Sequence, residues 1–133
     1  MAKKTSDGEF MIDTFLIPQG TVLTGKGETE AIDLGEARVE HFLLSLAIDE
    51  VVEQESLDLG IYGSADGTAW SDKPLASFPQ QFYPGETPLL AEMNGVRFVR
   101  ARWEANRWGR GSMETMFKVG LRVREVPKEM LEK

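Results

Sequence analysis

The sequence predicts one all-β domain, an antiparallel β-sandwich of about eight strands, with a closed barrel as the alternative. Apolar and polar residues alternate along several stretches, as in strands with one buried and one solvated face. Turn-forming residues separate these stretches at the spacing of sandwiches and barrels. These turn signals lie at 18–20, 25–28, 66–67, 83–86 and 94–95. At 133 residues, the chain is long enough for a single core.

The strands follow from the alternation, which is clearest at 40–49, 55–63 and 117–124. In the first of these, one face carries the apolar side chains Phe42, Leu44, Leu46 and Ile48. Further strands are predicted near 10–17, 21–24, 29–34, 75–82, 87–93 and 96–106. Parallel strands covered on both faces would be continuously apolar, so the pattern favours antiparallel pairing.

Helical patterns are confined to two short stretches. Residues 49–55, with the sequence DEVVEQE, suggest a short helix. In the tail, Pro127 suits the first turn of another helix. The predicted organisation is a flexible amino-terminal segment at 1–9, a β-sandwich domain at 10–126 and a short tail or helical turn at 127–133.

The amino-acid composition restricts the cellular compartment and the kinds of functional site that are expected. The chain has no cysteine, so disulfides, a thiolate nucleophile and a cysteine-based zinc site are excluded. The polar start lacks the apolar stretch of a signal peptide, and no apolar run has the length of a membrane span. A soluble cytoplasmic protein is the default expectation, with leaderless export as the alternative. No membrane partner is expected.

Charge is divided unevenly along the chain. The formal net charge is −7, yet residues 1–92 are acidic overall and residues 93–133 are basic overall. One interpretation is that opposite charges meet across neighbouring strands. The other is a basic patch that attracts an anion or an acidic partner. Overall acidity argues against nucleic-acid binding.

The stretch GSADGTAW at 63–70 predicts a structural turn. Asp66-Gly67 suits the positive-φ positions of a tight hairpin turn, and Ser64 and Asp66 can hydrogen-bond to its backbone. Trp70 would return to the core. A calcium ion takes six to eight oxygen ligands, and this loop offers one acid, so no metal site is predicted.

Two motifs resemble those of a known family. Ser64, Asp66, Gly67 and Trp70 match a Ser-x-Asp-Gly-x-x-Trp pattern, and residues 98–100 match an aromatic-Val-Arg strand. Both are similar to motifs of discoidin-type domains (coagulation factor 5/8 C-terminal type), within the galactose-binding-like jelly-roll sandwiches. The resemblance covers about residues 29–125 and lacks the bracketing cysteines of extracellular members. It implies a non-catalytic jelly roll that binds glycans, lipids or proteins through loops, and it transfers no binding residue.

The segment at 96–111 holds five arginines and two tryptophans, and it contains the candidate binding residues. Alternation places Trp103 on the core side, with Arg100 and Arg102 on the opposite face. The arginines either pair with acids of the first part of the chain or bind a ligand. In the loop NRWGRG, an aromatic ring flanked by guanidinium groups suits a sugar, a carboxylate or an interface. The ligand-binding candidates are Arg100, Arg102, Arg107, Trp108 and Arg110, with Tyr62, Tyr83 and Trp70 as helpers.

Catalysis has little support in the sequence. His41 is the only histidine, and no nucleophile elbow or phosphate-binding loop accompanies it. No cofactor is indicated, and the expected function is a non-catalytic binding or assembly module for a carbohydrate or a protein partner. The alternative is a structural subunit that self-associates through the Arg/Trp-rich strand and the acidic part of the chain. A small glycoside hydrolase or esterase is the third alternative.

Overall fold

Eight β-strands make up the regular structure of the residues that the structure describes. The computed structural model describes residues 2–4, 10–52, 55–107 and 115–126, with the backbone alone for 2–4, 10–11 and 36–40. The strands are β1 (Ala2–Lys4), β2 (Phe10–Leu23), β3 (Lys26–Glu28), β4 (Ile32–Val51), β5 (Glu55–Ser64), β6 (Ala76–Ser77), β7 (Gly85–Arg107) and β8 (Phe117–Val126). The prediction of an all-β chain with about eight antiparallel strands is confirmed. The described residues contain no helix with the length and apolar character needed to cross a membrane.

The strands form one antiparallel sheet in the order β1-β2-β8-β4-β7-β5-β6, with β3 also paired to β7. Strand β7 changes partners along its length. Its residues 85–99 pair with β4, and its residues 98–107 pair with β5. Strand β3 joins β7 at residues 102–104. The sheet therefore curls at β7, so that strands from both of its parts face one core.

The core comes from the alternation that the sequence predicts. One cluster of buried apolar residues draws on β2, β4, β5, β7 and β8. Its members in the three clearest stretches are Phe42, Leu44, Leu46, Ile48, Leu57, Leu59, Ile61, Phe117, Val119, Leu121 and Val123. Side chains at the intervening positions point to the outer faces of the sheet, because successive residues of a strand alternate between faces. The polar side chains that a ligand could reach therefore lie on these outer faces.

The turn predicted at 94–95 is wrong, because β7 runs through it without reversing. Gly95 adopts a φ of 72°, and one extra residue of β7 lies between the pairs Arg38↔Val96 and Glu40↔Met93. Asn94-Gly95 thus forms a bulge, which uses the same left-handed glycine conformation as a hairpin turn. Long-range pairing with β4 selects the bulge. The strand predicted at 75–82 is likewise reduced to the two residues of β6.

The helix suggested at 49–55 is also wrong. Residues 49–51 end β4, and Glu55 begins β5. The Glu55 side chain is buried, and its two oxygens accept hydrogen bonds from the backbone N–H groups of Val52 and Met116, at 2.8 and 2.9 Å. This carboxylate links the end of β4 to the start of β8. The tail predicted at 127–133 lies outside the described residues.

Opposite charges from the two parts of the chain meet across strands, which confirms the first interpretation of the charge division. The pairs are Asp13–Arg122, Glu28–Arg100, Glu28–Arg102, Asp33–Arg97 and Glu50–Lys118. Each pair joins an acid from 1–92 to a base from 93–133. Of the flexible segment predicted at 1–9, residues 2–4 are described, and they pair with residues 10–12 of β2.

Candidate functional site

The outer face of β3, β7, β5 and β6 gathers charged and aromatic side chains into rows. Lys26, Glu104 and Asp58 lie directly opposite one another across β3, β7 and β5. The next row holds Glu28, Arg102, Gly60 and Ser77, and the third row holds Arg100 and Tyr62. Directly opposite residues share a face of the sheet, so these side chains project to the same side. Leu59 and Ile61 of β5 point the other way, into the core.

A groove of about 460 Å³ lies along this face. We call it the charged groove. Its lining includes Lys26, Glu28, Asp58, Gly60, Tyr62, Ser77, Arg102, Trp103 and Glu104. Gly60 makes close packing possible here, because a Cβ at this position would lie 3.2 Å from Pro74 Cβ and 3.4 Å from Ser77 Oγ. The glycine therefore lets the segment that precedes β6 pack closely against β5.

Arg102 is fixed inside the charged groove by two neighbours. Its guanidinium carbon lies 5.0 Å from the centre of the Tyr62 ring, which is a cation–π contact. Its Nε lies 3.8 Å from Oε1 of Glu28. The Arg102 side chain is nevertheless half exposed. An arginine that is oriented and still accessible presents preformed donors to a ligand.

Arg100 lies next to the groove and has a more structural environment. Its guanidinium carbon is 4.2 Å from the centre of the Trp70 ring, and its Nη1 is 2.8 Å from Oε2 of Glu28. Its side chain is 23% exposed. Glu28 thus bridges the two arginines, and Trp70 covers Arg100. Arg100 therefore lies beside the charged groove as a structural residue, and its side chain is less exposed than that of Arg102.

Asp58 and Glu104 are two acceptors of the charged groove. They face each other across β5 and β7, and both are exposed. Asp58 Oδ2 accepts a hydrogen bond of 3.1 Å from Gln80, and Glu104 Oε2 accepts one of 3.4 Å from Asn106. Like charges at directly opposite positions destabilise a sheet. Lys26, directly opposite Glu104 on β3, offsets part of this repulsion, so the row holds one base and two exposed acids.

The loop after β5 borders this face and is stabilised by Ser64 and Asp66. Ser64 Oγ accepts hydrogen bonds from the N–H groups of Asp66 and Gly67, at 3.3 and 2.8 Å. Asp66 Oδ1 accepts from those of Ala69 and Thr68, at 2.9 and 2.8 Å. These two N–H groups, with the Ser64 hydroxyl, lower the pKa of Asp66. Gly67 adopts a φ of 82°.

This loop is wider than the two-residue hairpin that the sequence suggests. The chain rejoins β5 through a bond from Ser71 N to Gly63 O, so the turn spans the residues between them. Trp70 is half-buried under Arg100 and does not belong to the core cluster. The expectation that Trp70 returns to the core is therefore wrong. A loop of this width carries the ring to the outer face instead.

The other candidate residues are scattered. Trp103 is half-buried against the core, and its indole N–H donates to the Thr24 carbonyl at 3.3 Å. Arg107 ends β7 opposite Glu55 and away from the charged groove. Tyr83 is exposed in the connection before β7. Trp108 and Arg110 lie outside the described residues.

His41 lies elsewhere on the sheet, with its Nε2 3.3 Å from Oε2 of Glu92. The described residues that line the charged groove include no histidine. Within the described part of the chain, no group of three or more histidine or acidic side chains is arranged to hold a metal ion. The site therefore offers hydrogen bonds, charge and aromatic surface.

Sequence reasoning missed half of the charged groove. Lys26, Glu28, Asp58, Ser77 and Glu104 line it, and none of them was a candidate. The available signal was alternation, since Asp58 and Tyr62 share the outer face of β5 and Arg102 and Glu104 share that of β7. The pairing of β3 with β7 brings Lys26 and Glu28 to the same place.

No family model matches the chain, and no curated protein matches its sequence.

Proposed function

We propose that the chain is a non-catalytic binding module that takes a neutral carbohydrate in the charged groove. The observation that carries this proposal is the exposed pair of opposed acids, Asp58 and Glu104, beside the oriented guanidinium of Arg102. Sugar hydroxyl groups both donate and accept hydrogen bonds. Carboxylate oxygens accept hydrogen bonds from the sugar hydroxyl groups, and guanidinium N–H groups donate hydrogen bonds to the hydroxyl oxygens.

Charge balance supports a neutral ligand. The three rows contain the acids Glu28, Asp58 and Glu104 and the bases Lys26, Arg100 and Arg102. A face with equal numbers of closely spaced acids and bases attracts neither anions nor cations strongly. It offers many directional hydrogen bonds instead, as a polyhydroxylated ligand requires.

The size of the groove also supports a small ligand. Pockets for small molecules measure about 300–1,000 Å³, and the charged groove falls within this range. A protein partner would cover about 800 Å² on each side. The stacking of Arg102 on Tyr62 means that the site is largely preformed, which lowers the entropic cost of binding.

The non-catalytic part of the proposal rests on the chemistry of the described residues that line the charged groove, which include no histidine. The only histidine lies beside Glu92, outside the charged groove. We also propose, from the Ser64 to Trp70 motif, that the curled sheet is a jelly roll of the galactose-binding-like, discoidin-type group. The charged groove lies on a sheet face, whereas the resemblance implies loops at one end, so the proposed ligand site does not depend on this assignment.

The test is titration calorimetry with a panel of neutral mono- and disaccharides, preceded by screening on a glycan array. Asp58→Asn and Arg102→Ala should each weaken binding of the best glycan by about tenfold or more, because each removes a charge-assisted hydrogen bond. Both side chains are exposed, so folding should be preserved. Asp72→Asn, at an exposed acid that does not line the groove, is the matched control and should bind normally.

Two results would overturn the proposal. The first is the absence of binding to every neutral glycan, or binding that Asp58→Asn and Arg102→Ala leave intact. The second is the release of reducing sugar from a disaccharide in a reaction that Asp58→Asn or Glu104→Gln abolishes. That result would make the opposed carboxylates a catalytic pair.

A further inference from the structure

The bulge of β7 places a chemically labile dipeptide on the surface of the molecule. Asn94 and Gly95 are both exposed, and they lie between Met93 and Val96, the neighbouring residues that pair with β4. A bulge leaves an extra residue unpaired and locally disrupts the ladder. Neither residue of the dipeptide lines the charged groove, so this site is separate from the proposed ligand site.

The surroundings of Gly95 leave room for a reaction at its backbone nitrogen. Among the described residues, apart from its chain neighbours, no heavy atom lies within 4 Å of the position that a Cβ at Gly95 would take. Glycine itself carries no Cβ that could shield its N–H. Asparagine is one of the thermally labile residues, because its side-chain amide can react with the backbone nitrogen that follows it.

We propose that Asn94 is a site of spontaneous deamidation. The Gly95 nitrogen attacks Cγ of Asn94 and loses its proton to water, and the side-chain amide leaves as ammonia. The product is a five-membered succinimide ring, which a water molecule opens at either of its two carbonyl carbons. Opening at Cγ gives aspartate, and opening at the main-chain carbonyl carbon gives isoaspartate, whose backbone continues through Cβ. The net reaction consumes one water and replaces a neutral amide with a carboxylate.

The loop after β5 contains a related dipeptide, Asp66-Gly67, in a protected environment. The Gly67 N–H donates to Ser64 Oγ at 2.8 Å, and Asp66 Oδ1 accepts from the N–H groups of Thr68 and Ala69. These hydrogen bonds engage both of the groups that would have to react. The bonds from Ala69 and Thr68 also lower the pKa of Asp66, and an ionised carboxylate reacts poorly with an amide nitrogen. The fold therefore protects this dipeptide.

Asn106, the only other asparagine of the chain, provides an internal control. It is exposed like Asn94, but it is followed by Arg107, whose side chain hinders the backbone nitrogen. It pairs directly with Ser56 in a regular part of the ladder, and its Nδ2 donates to Glu104 Oε2 at 3.4 Å. We therefore expect the two asparagines to deamidate at different rates in the folded chain.

The test is peptide mass spectrometry of the folded chain during incubation at mildly alkaline pH. Cleavage after glutamate separates Asn94, in fragment 93–104, from Asn106, in fragment 105–114. The mass gain of an amide-to-acid exchange should accumulate in the first fragment and stay at background in the second. A methyltransferase specific for isoaspartate should label fragment 93–104, and Asn94→Gln should abolish this label, because glutamine would have to close a larger ring.

The same incubation in guanidinium chloride separates the effect of the fold from that of the sequence. In the unfolded chain, isoaspartate should form both in fragment 93–104 and in fragment 56–86, which contains Asp66. In the folded chain, only fragment 93–104 should be labelled strongly. Modification of this fragment in denaturant but not in the folded chain would overturn the proposal, because the bulge would then protect Asn94. Equal modification of the two asparagines in the folded chain would overturn it as well. Neither readout depends on glycan binding.

Discussion

Asp33 shows how one exposed carboxylate acquires a defined electrostatic role. Its two oxygens accept hydrogen bonds from Nε and Nη2 of Arg97, both at 2.9 Å, and Oδ1 also accepts one from Gly35 N. The bonds from Arg97, followed by that from Gly35, hold the pKa of Asp33 at about 2, below its ordinary value of 3.8. Folding therefore favours the ionised form of this side chain.

The predicted consequence is a pH-dependent contribution to stability. Because the folded pKa is depressed, the contribution is complete above about pH 4 and is lost as the pH falls through 2. Asp33→Asn should lower the free energy of unfolding at pH 7 by about 1 kcal/mol or less, since the pair is solvent-exposed. In urea titrations at several pH values, the difference from the native chain should shrink from pH 4 towards pH 2. A difference for Asp33→Asn that stays constant between pH 4 and pH 2 would contradict the assignment.

At the scale of elements, the pairing of β3 with β7 depends on a missing side chain. Gly27 lies opposite Trp103, and a Cβ at Gly27 would stand 2.7 Å from Cζ2 of the indole. The indole therefore lies across the glycine, with its N–H directed to Thr24. This contact holds β3 in place, and with it Lys26 and Glu28 of the charged groove.

Gly27→Val should displace the Trp103 indole, because the new side chain would occupy the space that the ring now fills. We expect the free energy of unfolding to fall by about 1–3 kcal/mol, the usual cost of overpacking. The Trp103 indole N–H resonance should shift towards that of a solvated ring. Lys26→Val, on the neighbouring outward-facing position, is the control and should leave the resonance in place. An unchanged indole resonance in Gly27→Val would contradict the packing.

Elements differ in how far the sequence predicts them. The faces of β4, β5 and β8 follow from alternation alone, because burial of one face requires a period of two. Asn94-Gly95 was misread because its local chemistry fits a turn and a bulge equally well, and pairing with β4 decides between them. The charged groove depends on the register of β3, β7 and β5, which are distant in sequence. Arg102 could be identified from its own strand, whereas Asp58 becomes significant only once Glu104 is placed opposite it.

On the scale of the whole molecule, β7 joins the two parts of the sheet. Its residues 85–99 complete the part that contains β4 and β8, and its residues 98–107 complete the part that contains β3 and β5. Core residues from both parts belong to one cluster. If either part of the sheet unfolded, β7 would lose the hydrogen-bond partners in that part. The apolar side chains of the remaining part would then be exposed to solvent.

This connectivity predicts that the chain unfolds in a single cooperative step, as small domains with one core generally do. Native-state hydrogen exchange measured by NMR is the suitable test, because it reports a separate free energy of opening for each amide. The slowest amides of β5 and those of β8 should give the same free energy, and both should fall with the same slope in denaturant. Gly27→Val, although it acts on the β3–β7 pairing, should lower the two values equally. If β8 amides kept their protection while those of β5 lost it, β7 would not couple the two parts of the sheet, and the charged groove could open independently of the part that contains β4 and β8.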